Sequence, residues 1–367
     1  MKRYDVAVIG LGIVGASAVY ALARAGARVV ALDAAQPGAG TSSNSFAWVN
    51  AVRKEPEAYQ RLNAEGIAAH RQLARELEGV GYQERGSLEW ADGGGGEGEL
   101  RERVARLAAR GYAATWIPVG RAETLEPGLA IPSHAREVAF YAGDGWLDAP
   151  RAVARLLAEA SKHGADVRER AGVSSLRRHG DRIEGVTADG GEVVAGAVLV
   201  CVGPATQAFL APLGVVVPVG RVPGLLAVTS RPAAPLGRVV HAPGVHLRPD
   251  ASGGLLLGAG DVDERVTETT PVEAARQIAG RLLERAARVF PPALGVRLVE
   301  TRLGVRPMPG DGHTIAGRIP GLANGWVLAT HSGVTLGPLL GRLIAAEIVE
   351  GTPSAMLAPF RPDRFSS

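Results

Sequence analysis

Several residue types are scarce in this chain of 367 residues. Cysteine occurs once, at Cys201, so the chain cannot form an internal disulfide, and we expect a reducing, cytoplasmic location. Lysine occurs at three positions, Lys2, Lys54 and Lys162, so arginine supplies almost all of the 40 basic residues. Aromatic residues make up 5% of the chain and no block of like charge occurs, which gives nucleic-acid binding little support.

A membrane-spanning run is also missing from the sequence. Lys2 and Arg3 precede an apolar stretch, as in a signal peptide, but Arg24 and Arg28 interrupt it before a span of about 20 apolar residues is complete. We therefore predict neither export nor a membrane span. Because the chain is longer than a usual single hydrophobic core requires, we expect two globular domains.

The first 33 residues predict a strand, a helix and a second strand. Val6–Ile9 form a short apolar run that leads into a G-x-G-x-x-G sequence, and an alanine-rich helix is expected over 16–25. A second apolar run, over 28–32, ends at Asp33, which lies 23 residues beyond Gly10. This order of elements is typical of a dinucleotide-binding βαβ unit.

Each glycine of that motif has a physical task. Gly10 allows a tight turn, Gly12 lets a pyrophosphate approach the backbone, and Gly15 lets the helix pack closely on the strand. The amino end of the helix would face the phosphates. Asp33 would accept hydrogen bonds from ribose hydroxyls and would repel a 2′-phosphate, so FAD or NAD is favoured over NADP; the alternative is a glycine-rich turn that binds no nucleotide.

Two further segments are expected near this unit. The five consecutive small polar residues at 41–45 could donate hydrogen bonds to phosphate oxygens, or they could cap a helix, and both alternatives remain open. The apolar run over 193–202 leads into a turn at Gly203. In a nucleotide-binding sheet, such a turn at the carboxyl end of a strand lies beside the ligand crevice.

The carboxyl-terminal part of the chain holds a second informative region. Residues 300–307 alternate in character, so a strand here would place Arg302, Gly304 and Arg306 on one face, and the glycine would leave room for a ligand beside two guanidiniums. The segment 331–338 is predicted as a loop, followed by a helix from 339 to 349.

The histidines of the chain give weaker signals. His241 and His246 are five residues apart, which is not a helical spacing for metal ligands, and no carboxylate completes a set, so we expect no metal site. Long helices are predicted over 57–77 and 271–290, because apolar residues recur there at helical spacing.

Together these segments resemble the family of FAD-dependent D-amino-acid oxidases, glycine oxidases and sarcosine oxidases, over nearly the whole chain. The resemblance rests on five motifs, which are Gly-Leu-Gly-Ile-Val-Gly-Ala at 10–16, Gly-Ala-Gly-Thr-Ser-Ser-Asn-Ser-Phe-Ala-Trp at 38–48, Val-Leu-Val-Cys-Val-Gly-Pro at 198–204, Gly-Val-Arg-Pro-Met-Pro-Gly-Asp-Gly at 304–312 and His-Ser-Gly-Val-Thr-Leu-Gly-Pro at 331–338.

The resemblance implies an α/β fold in which a Rossmann-like FAD-binding domain is interleaved with an α+β substrate domain that has a mostly antiparallel sheet. The segments expected to form the FAD-binding domain are 1–83, 146–216 and 302–367. Those expected to form the substrate domain are 84–145 and 217–301.

The resemblance and the glycine motif also assign roles to individual positions. Ile13 and Val14 would lie at the pyrophosphate, and the backbone of Val173 would meet adenine. Arg306 resembles the arginine that grips the substrate carboxylate, and His246 stands where relatives often have a tyrosine facing the substrate. Trp48 would border the isoalloxazine, and with Arg306 and His246 it completes the candidate catalytic set. The full set of candidate FAD-binding residues is Gly10, Gly12, Ile13, Val14, Gly15, Asp33, Ala34, Thr41, Ser42, Ser43, Ala47, Trp48, Val173, Gly203, His331, Ser332, Gly333, Val334, Thr335 and Leu336.

The function implied is oxidation of the C–N bond of an amino acid or related amine by hydride transfer to flavin N5. FAD would be noncovalent, because Cys201 lies in a different strand from the flavin-linking cysteine of sarcosine-oxidase-like members. The segment 332–334 lacks the further arginine of glycine-oxidase-like members, which disfavours glycine itself. The electron acceptor would be oxygen or a transfer partner, and a homo-oligomer is possible. The alternatives are a flavin-carrying subunit of a larger complex and an NAD-dependent dehydrogenase.

Overall fold

The computed structural model of the chain describes residues 3–93 and 95–366. The helices are α1 Ile13–Arg24, α2 Glu57–Glu76, α3 Gly95–Ala109, α4 Val119–Leu125, α5 Ala149–Lys162, α6 Thr206–Leu210, α7 Gly260–Asp263, α8 Val272–Val289 and α9 Gly333–Glu350. The strands are β1 Arg3–Ile9, β2 Val29–Leu32, β3 Trp48–Val49, β4 Tyr82–Glu84, β5 Ser87–Glu89, β6 Ala114–Pro118, β7 Glu137–Tyr141, β8 Gly145–Leu147, β9 Asp166–Arg168, β10 Val173–His179, β11 Arg182–Ala188, β12 Gly191–Val200, β13 Val219–Thr229, β14 Val239–Ala242, β15 Val245–Pro249, β16 Leu255–Gly258, β17 Leu298–Pro309, β18 Ile315–Arg318 and β19 Gly325–Ala329.

The first sheet has a parallel centre, in the order β9, β2, β1, β12 and β19. The antiparallel meander β10–β11 pairs with the first half of β12, and β18 pairs antiparallel with β19. The predicted strand–helix–strand unit is therefore present, with α1 beginning three residues earlier than expected. The carboxyl ends of β1, β2 and β12 meet at one edge of this sheet.

Both faces of the parallel sheet are buried, which explains why its strands are nearly continuous apolar runs. Val6 and Val8 point to one face and pack in a core with α1, α2, α5 and α9. Ala7 and Ile9 point to the other face and pack with the β10–β11 meander and with residues 210–219. Alternation along a strand thus divides adjacent residues between two separate cores.

The second sheet is mostly antiparallel, in the order β17, β13, β16, β15, β14, β5, β7 and β6. Its strands come from residues 87–141 and 219–309, and β14 and β5 form its parallel pair. A third sheet has the strand order β3, β8 and β4. Along the chain, its strands lie at the junctions between segments of the first sheet and segments of the second. The predicted fold class is confirmed. The division into five segments remains a prediction, and its boundary at 301/302 falls inside β17, which pairs with β13 along its whole length.

The last long helix begins earlier than the sequence predicts. We expected a loop up to Pro338, but α9 begins at Gly333 and contains this proline. Because proline has no N–H, the carbonyl of Val334 loses its helical donor. The Nε2 atom of buried His70 lies 2.7 Å from this carbonyl oxygen, and burial lowers the pKa of His70 to about 4, so a neutral imidazole N–H takes over that hydrogen bond.

None of the helices within residues 3–93 and 95–366 is both long and apolar enough to cross a membrane.

Candidate active site

The turn after β1 has the geometry that its glycines predict. Gly10 has a φ of +90°, and its N–H donates to Leu32 O at 2.8 Å. A Cβ atom at Gly15 would lie 1.9 Å from Gly10 O and 3.3 Å from Cys201 Cβ. Helix α1 can therefore approach β1 and β12 this closely only with glycine at this position.

The carboxylate of Asp33 is held at the end of β2. Its Oδ2 atom accepts a hydrogen bond from Leu11 N–H at 2.6 Å, and its Oδ1 atom accepts one from Ala35 N–H at 2.9 Å. These contacts fix the carboxylate beside the glycine turn while leaving lone pairs for hydroxyl donors. The arrangement suits recognition of a ribose.

The polar segment at 41–45 packs against the amino end of α1. Ser42 Oγ accepts a hydrogen bond from Ile13 N–H at 2.9 Å, and Thr41 Oγ1 donates to Val305 O in β17 at 2.6 Å. Neither side chain caps a helix of its own segment, because the next helix, α2, begins at Glu57. The segment instead joins the nucleotide unit to the second sheet.

A cavity of about 460 Å³, here called the glycine-loop cavity, opens at this edge of the parallel sheet. The candidate residues that line it are Gly10, Gly12, Ile13, Val14, Asp33, Ala34, Thr41, Ser42, Val173, Gly203, His331, Gly333 and Val334. Its walls combine backbone at the amino end of α1, a fixed carboxylate and apolar side chains. These residues fit an adenine dinucleotide, since the helix end favours phosphate and the carboxylate favours ribose.

A second cavity of about 830 Å³, here called the charged cavity, adjoins the first. The two share Thr41, Ser45, His331 and Val334 in their linings. The candidate residues that line the charged cavity are Thr41, Ala47, Trp48, His246, Arg306, His331, Ser332, Val334 and Thr335. The candidate cofactor and substrate residues therefore line two adjoining cavities.

Three candidates lie outside both linings. Gly15 faces β1, as its packing role requires. Ser43 Oγ donates to Ala39 O at 2.9 Å, and Leu336 is fully buried in the core beneath α9. Their predicted contacts with FAD remain untested.

One wall of the charged cavity consists of rings from distant parts of the chain. His241 and His246 are directly opposite each other in the β14–β15 hairpin, with ring centroids 5.1 Å apart. Trp48 lies against His241 at 4.0 Å, and Phe46 meets His246 edge-on at 5.8 Å. Burial, together with the nearby charge of Arg53, lowers the pKa of His246 to about 4, and burial lowers the pKa of His241 well below its usual value, so both imidazoles are neutral at pH 7.

His241 is a pocket residue that the sequence did not reveal. Its side chain is buried, and neither ring nitrogen has a hydrogen-bond partner among the described residues. A spacing of five residues has no helical meaning, but across a two-residue turn it makes the two histidines cross-strand neighbours. The signal available in the sequence was the Pro243-Gly244 turn between them.

Trp48 is oriented by a buried carboxyl group. Its Nε1–H donates to Asp144 Oδ2 at 3.0 Å, and Ser87 Oγ donates to the same oxygen at 2.6 Å. Tyr112 donates to the other oxygen. Burial raises the pKa of Asp144 to about 7, against these hydrogen bonds, which favour the charged form.

Arg306 enters the charged cavity from β17. Its Nη1 atom is 2.9 Å from Asp263 Oδ2, and its Nη2 atom donates to Pro223 O at 2.7 Å. Its Nε atom is buried and has no partner among the described residues. Burial raises the pKa of Asp263, although Leu225 N–H and Arg306 both oppose the rise. The guanidinium therefore keeps unused N–H donors while its position is fixed.

Gly304 lines the charged cavity, but the direction of its missing side chain is filled by protein. A Cβ atom at Gly304 would lie 2.7 Å from Asn44 Cβ and 2.9 Å from Asn44 O, so the glycine also accommodates the 41–45 segment. The two arginines do not share this cavity, because Arg302 lies by a different, smaller cavity and pairs with Asp250 at 3.2 Å.

The remaining cations of the charged cavity have acidic partners, with one exception. Arg53 and Arg103 share the buried carboxylate of Glu89, at 2.5 and 2.6 Å. Arg106 pairs with Glu55 at 2.9 Å. Lys54 has no carboxylate partner in the part of the chain that the structure describes, and desolvation lowers its pKa to about 8.

His331 lies where the two cavities meet. Its ring is open to this space, and desolvation together with the charges of Lys54 and Arg306 lowers its pKa to about 4. The imidazole is therefore neutral at pH 7. Beside it, Ser332 Oγ accepts a hydrogen bond from Tyr59 Oη of α2 at 2.9 Å.

Fold and site together define a dinucleotide-binding protein of the flavin or nicotinamide type, and comparison with known proteins shows its family. The model of the FAD dependent oxidoreductase family, abbreviated DAO, matches residues 5–347. The chain belongs to this family and is an FAD-dependent oxidoreductase. The predicted cofactor, FAD, and the predicted family are thereby confirmed, and the alternative of an NAD-dependent dehydrogenase is excluded.

Individual relatives align over nearly their full length. Glycine oxidase of Geobacillus kaustophilus (strain HTA426) is 29% identical over 372 residues, which cover 98% of this chain and 96% of that protein. An opine oxidase subunit of Agrobacterium tumefaciens (strain Ach5) is 25% identical over 379 residues, covering 100% and 98%. The crystal structure of glycine oxidase from Geobacillus kaustophilus superimposes with a TM-score of 0.85 over 99% of both chains, at 28% identity.

Proposed function

We propose that this protein oxidises the C–N bond of an amino acid or of a closely related amine. The observation that carries the proposal is the position of Arg306, a fixed guanidinium with unused donors in a cavity that adjoins the FAD-binding edge of the sheet. A planar guanidinium binds a carboxylate through two parallel hydrogen bonds, which fixes the orientation of the Cα atom.

The other residues of the cavity supply position and exclude water. The rings of Trp48, His241 and His246 form a wall with neutral imidazoles, and such an uncharged, buried surface would favour the neutral form of a bound amine. When bound, FAD supplies the acceptor, flavin N5, for the hydride of the substrate. Reactions of this kind depend mainly on orientation. The two carboxylates of the lining, Glu55 and Asp263, are paired with arginines, which is consistent with that requirement.

The FAD-binding roles assigned above are part of the same proposal. Gly12, Ile13, Val14, Ser42 and Thr41 would face the phosphates, and Asp33 the ribose. Two relatives support the substrate class by their names, one being a glycine oxidase and the other a subunit of opine oxidase. A cytoplasmic location and electron transfer to oxygen or to a partner complete the proposal.

The proposal predicts that bound FAD loses its visible absorbance under anaerobic conditions when the right substrate is added. A panel of D- and L-amino acids, N-methylated amino acids and simple amines would be tested by stopped-flow spectroscopy. We expect at least one carboxylated amine to bleach the flavin much faster than its decarboxylated analogue, because the analogue cannot bind Arg306. If no amine or amino acid bleaches the flavin, the proposal is wrong.

Replacing Arg306 by lysine sharpens this test. Arg306→Lys keeps the charge but loses the planar fork, so we expect KM to rise about 10- to 100-fold with FAD content unchanged, since charged hydrogen bonds contribute about 1.5–3 kcal/mol each. Arg302→Lys is the matched control on the same strand, and it should change KM less than about twofold, because Arg302 faces another cavity.

A different result would show that Arg306 stabilises the fold and does not bind the substrate. If Arg306→Lys loses FAD or folds poorly while the retained enzyme has a normal KM, its contacts with Asp263 and Pro223 are its main role. The carboxylate would then bind elsewhere in the charged cavity. Arg248 and Arg302 are poor substitutes, because both line the smaller cavity instead.

A second candidate function is that of a flavin-carrying subunit. The similarity to a subunit of opine oxidase, over essentially the whole chain, favours it. The discriminating measurement is turnover by the purified chain alone. If the flavin is reduced by substrate but is reoxidised slowly by both oxygen and an artificial acceptor, electrons leave through a partner protein.

A further inference from the structure

The charged cavity has more positive than negative charge. Glu89 is shared by two arginines, Arg53 and Arg103, so one positive charge is in excess there. Arg106 and Arg306 are each matched by one carboxylate. Lys54 adds a further cation without an acidic partner among the described residues. Arg53 is exposed, so solvent offsets its share of this excess, whereas Lys54 is desolvated. An unpaired charge inside a protein is costly, which suggests that a ligand supplies the missing anion beside Lys54.

Lys54 is held in place by its neighbour in sequence. It lies in the loop between β3 and α2, where Glu55 binds Arg106 and Arg110 through its carboxylate at 2.9 Å each. The carbonyl of Glu55 is 2.9 Å from His313 Nε2. Both the side chain and the backbone of Glu55 therefore fasten this loop, which reduces the conformational entropy that the loop loses when a ligand binds.

Lys54 lines the charged cavity together with His331 and Arg306. Its Nζ atom lies 5.9 Å from the ring centroid of Tyr59, which itself contacts Ser332. Its charge acts on His331, as does the charge of Arg306. Two cations from separate elements, β17 and the β3–α2 loop, thus bear on the same part of the cavity.

We infer that the substrate is an amino dicarboxylate, with one carboxylate bound by Arg306 and the second by Lys54. This inference rests on the proposed function, since it names the substrate class for the same site. Two arrangements share this chemistry: an acidic amino acid, whose second carboxylate is on the side chain, and an N-carboxyalkyl amino acid, whose second carboxylate is on the nitrogen.

The kinetic test compares matched substrates that differ by one carboxylate. D- and L-glutamate against D- and L-norvaline test the acidic amino acids, and iminodiacetate against sarcosine tests the N-linked class. We expect the dicarboxylate of one pair to have a kcat/KM at least about tenfold higher than its partner, as one charged contact allows. Equal values within every pair would overturn the inference.

Variants of Lys54 identify the second anchor. Lys54→Met keeps the length of the side chain and removes its charge, so KM for the dicarboxylate should rise about tenfold or more while that of the monocarboxylate changes less than about twofold. Lys54→Arg should restore most of the preference. Lys162→Met is the control, because Lys162 is exposed on α5 and pairs with Glu159 at 3.0 Å.

A binding measurement makes the test independent of turnover. Glutarate and butyrate, which lack an amine, would be titrated calorimetrically into the FAD-loaded protein. Glutarate should bind at least about tenfold more tightly than butyrate to the unmodified protein, and Lys54→Met should abolish the difference. If Lys54→Met affects both ligands equally, Lys54 does not discriminate the second carboxylate.

The outcomes separate this inference from the proposed function. If no amine bleaches the flavin, the proposed function fails, whatever the glutarate titration gives. If amines are oxidised but Lys54→Met leaves all carboxylate affinities unchanged and slows only reoxidation of the flavin, the substrate inference fails and Lys54 serves the electron acceptor.

Discussion

The two adjoining cavities are built in different ways. The glycine-loop cavity is lined largely by backbone and apolar side chains, and Asp33 is the one Asp, Glu, Lys or Arg residue among the described residues in its lining. The charged cavity is lined by five cations, which are Arg53, Lys54, Arg103, Arg106 and Arg306. The first cavity offers a ligand mainly main-chain and apolar surface, and the second offers side-chain charge.

This difference explains how readily each cavity is recognised in the sequence. The glycine turn and the acid after it belong to one βαβ unit, and the distance along the chain sets their geometry. The cations of the charged cavity come from segments as far apart as residues 53 and 306. Their mutual position depends on the pairing of strands in another sheet.

The largest effect is expected from adding a side chain at Gly15, where α1 packs against β1. Gly15→Ala would place a methyl group 1.9 Å from Gly10 O, so α1 would have to move away from β1. We expect loss of bound FAD and of most soluble protein, measured by the ratio of flavin to protein absorbance after purification. A variant that retains full FAD content would contradict the role given to this glycine.

Gly280→Ala is the matched control. Gly280 lies inside α8, and a Cβ atom there would meet nothing within 4 Å. Because alanine favours helix over glycine, we expect this variant to gain about 0.5–1 kcal/mol in the free energy of unfolding, with normal FAD content.

A smaller effect is expected from replacing Asp33, the acidic residue of the glycine-loop cavity. Asp33→Asn keeps the size and one acceptor oxygen for Leu11 N–H or Ala35 N–H, but loses the charge toward the ribose. We expect the Kd for FAD to rise about 10- to 100-fold, as loss of a charged hydrogen bond implies, measured by fluorescence titration of the apoprotein. Asp5→Asn, at the exposed start of β1, should leave FAD affinity unchanged.

The charged cavity should respond to pH where the glycine-loop cavity does not. Desolvation lowers the pKa of Lys54 to about 8, so its charge is lost as the pH rises through that value. Lys54 lies over the ring of Tyr59, and its charge acts on His331, which is already neutral because its pKa is about 4; Arg306 in the same lining stays charged. Between about pH 7.5 and 9.5, glutarate affinity should fall severalfold, and Lys54→Arg should remove this dependence.

The same pKa has a consequence for stability. Because the folded state lowers the pKa of Lys54 from its ordinary value of 10.5, the unfolded state binds this proton more tightly. The contribution of Lys54 to the free energy of unfolding therefore becomes more favourable as the pH rises from about 8 to 10.5. Lys54→Met should weaken that rise in pH-dependent denaturation, and an unchanged profile would contradict the assigned burial.

Residues that are close together in the sequence determined the nucleotide-binding unit of this protein. The apolar runs, the three glycines and Asp33 sufficed to predict the nucleotide unit, because turn geometry and helix packing depend on residues close in sequence. The family resemblance placed the remaining cofactor and substrate candidates, and most of them line the two cavities.

Long-range packing decided what these patterns left open. Asn44 packs against the Cα atom of Gly304, 260 residues away in the chain, and His70 binds the carbonyl that Pro338 leaves without a helical donor in α9. Each of these contacts joins residues whose separation along the chain carries no information about their distance in space, so strand register and helix packing had to bring them together.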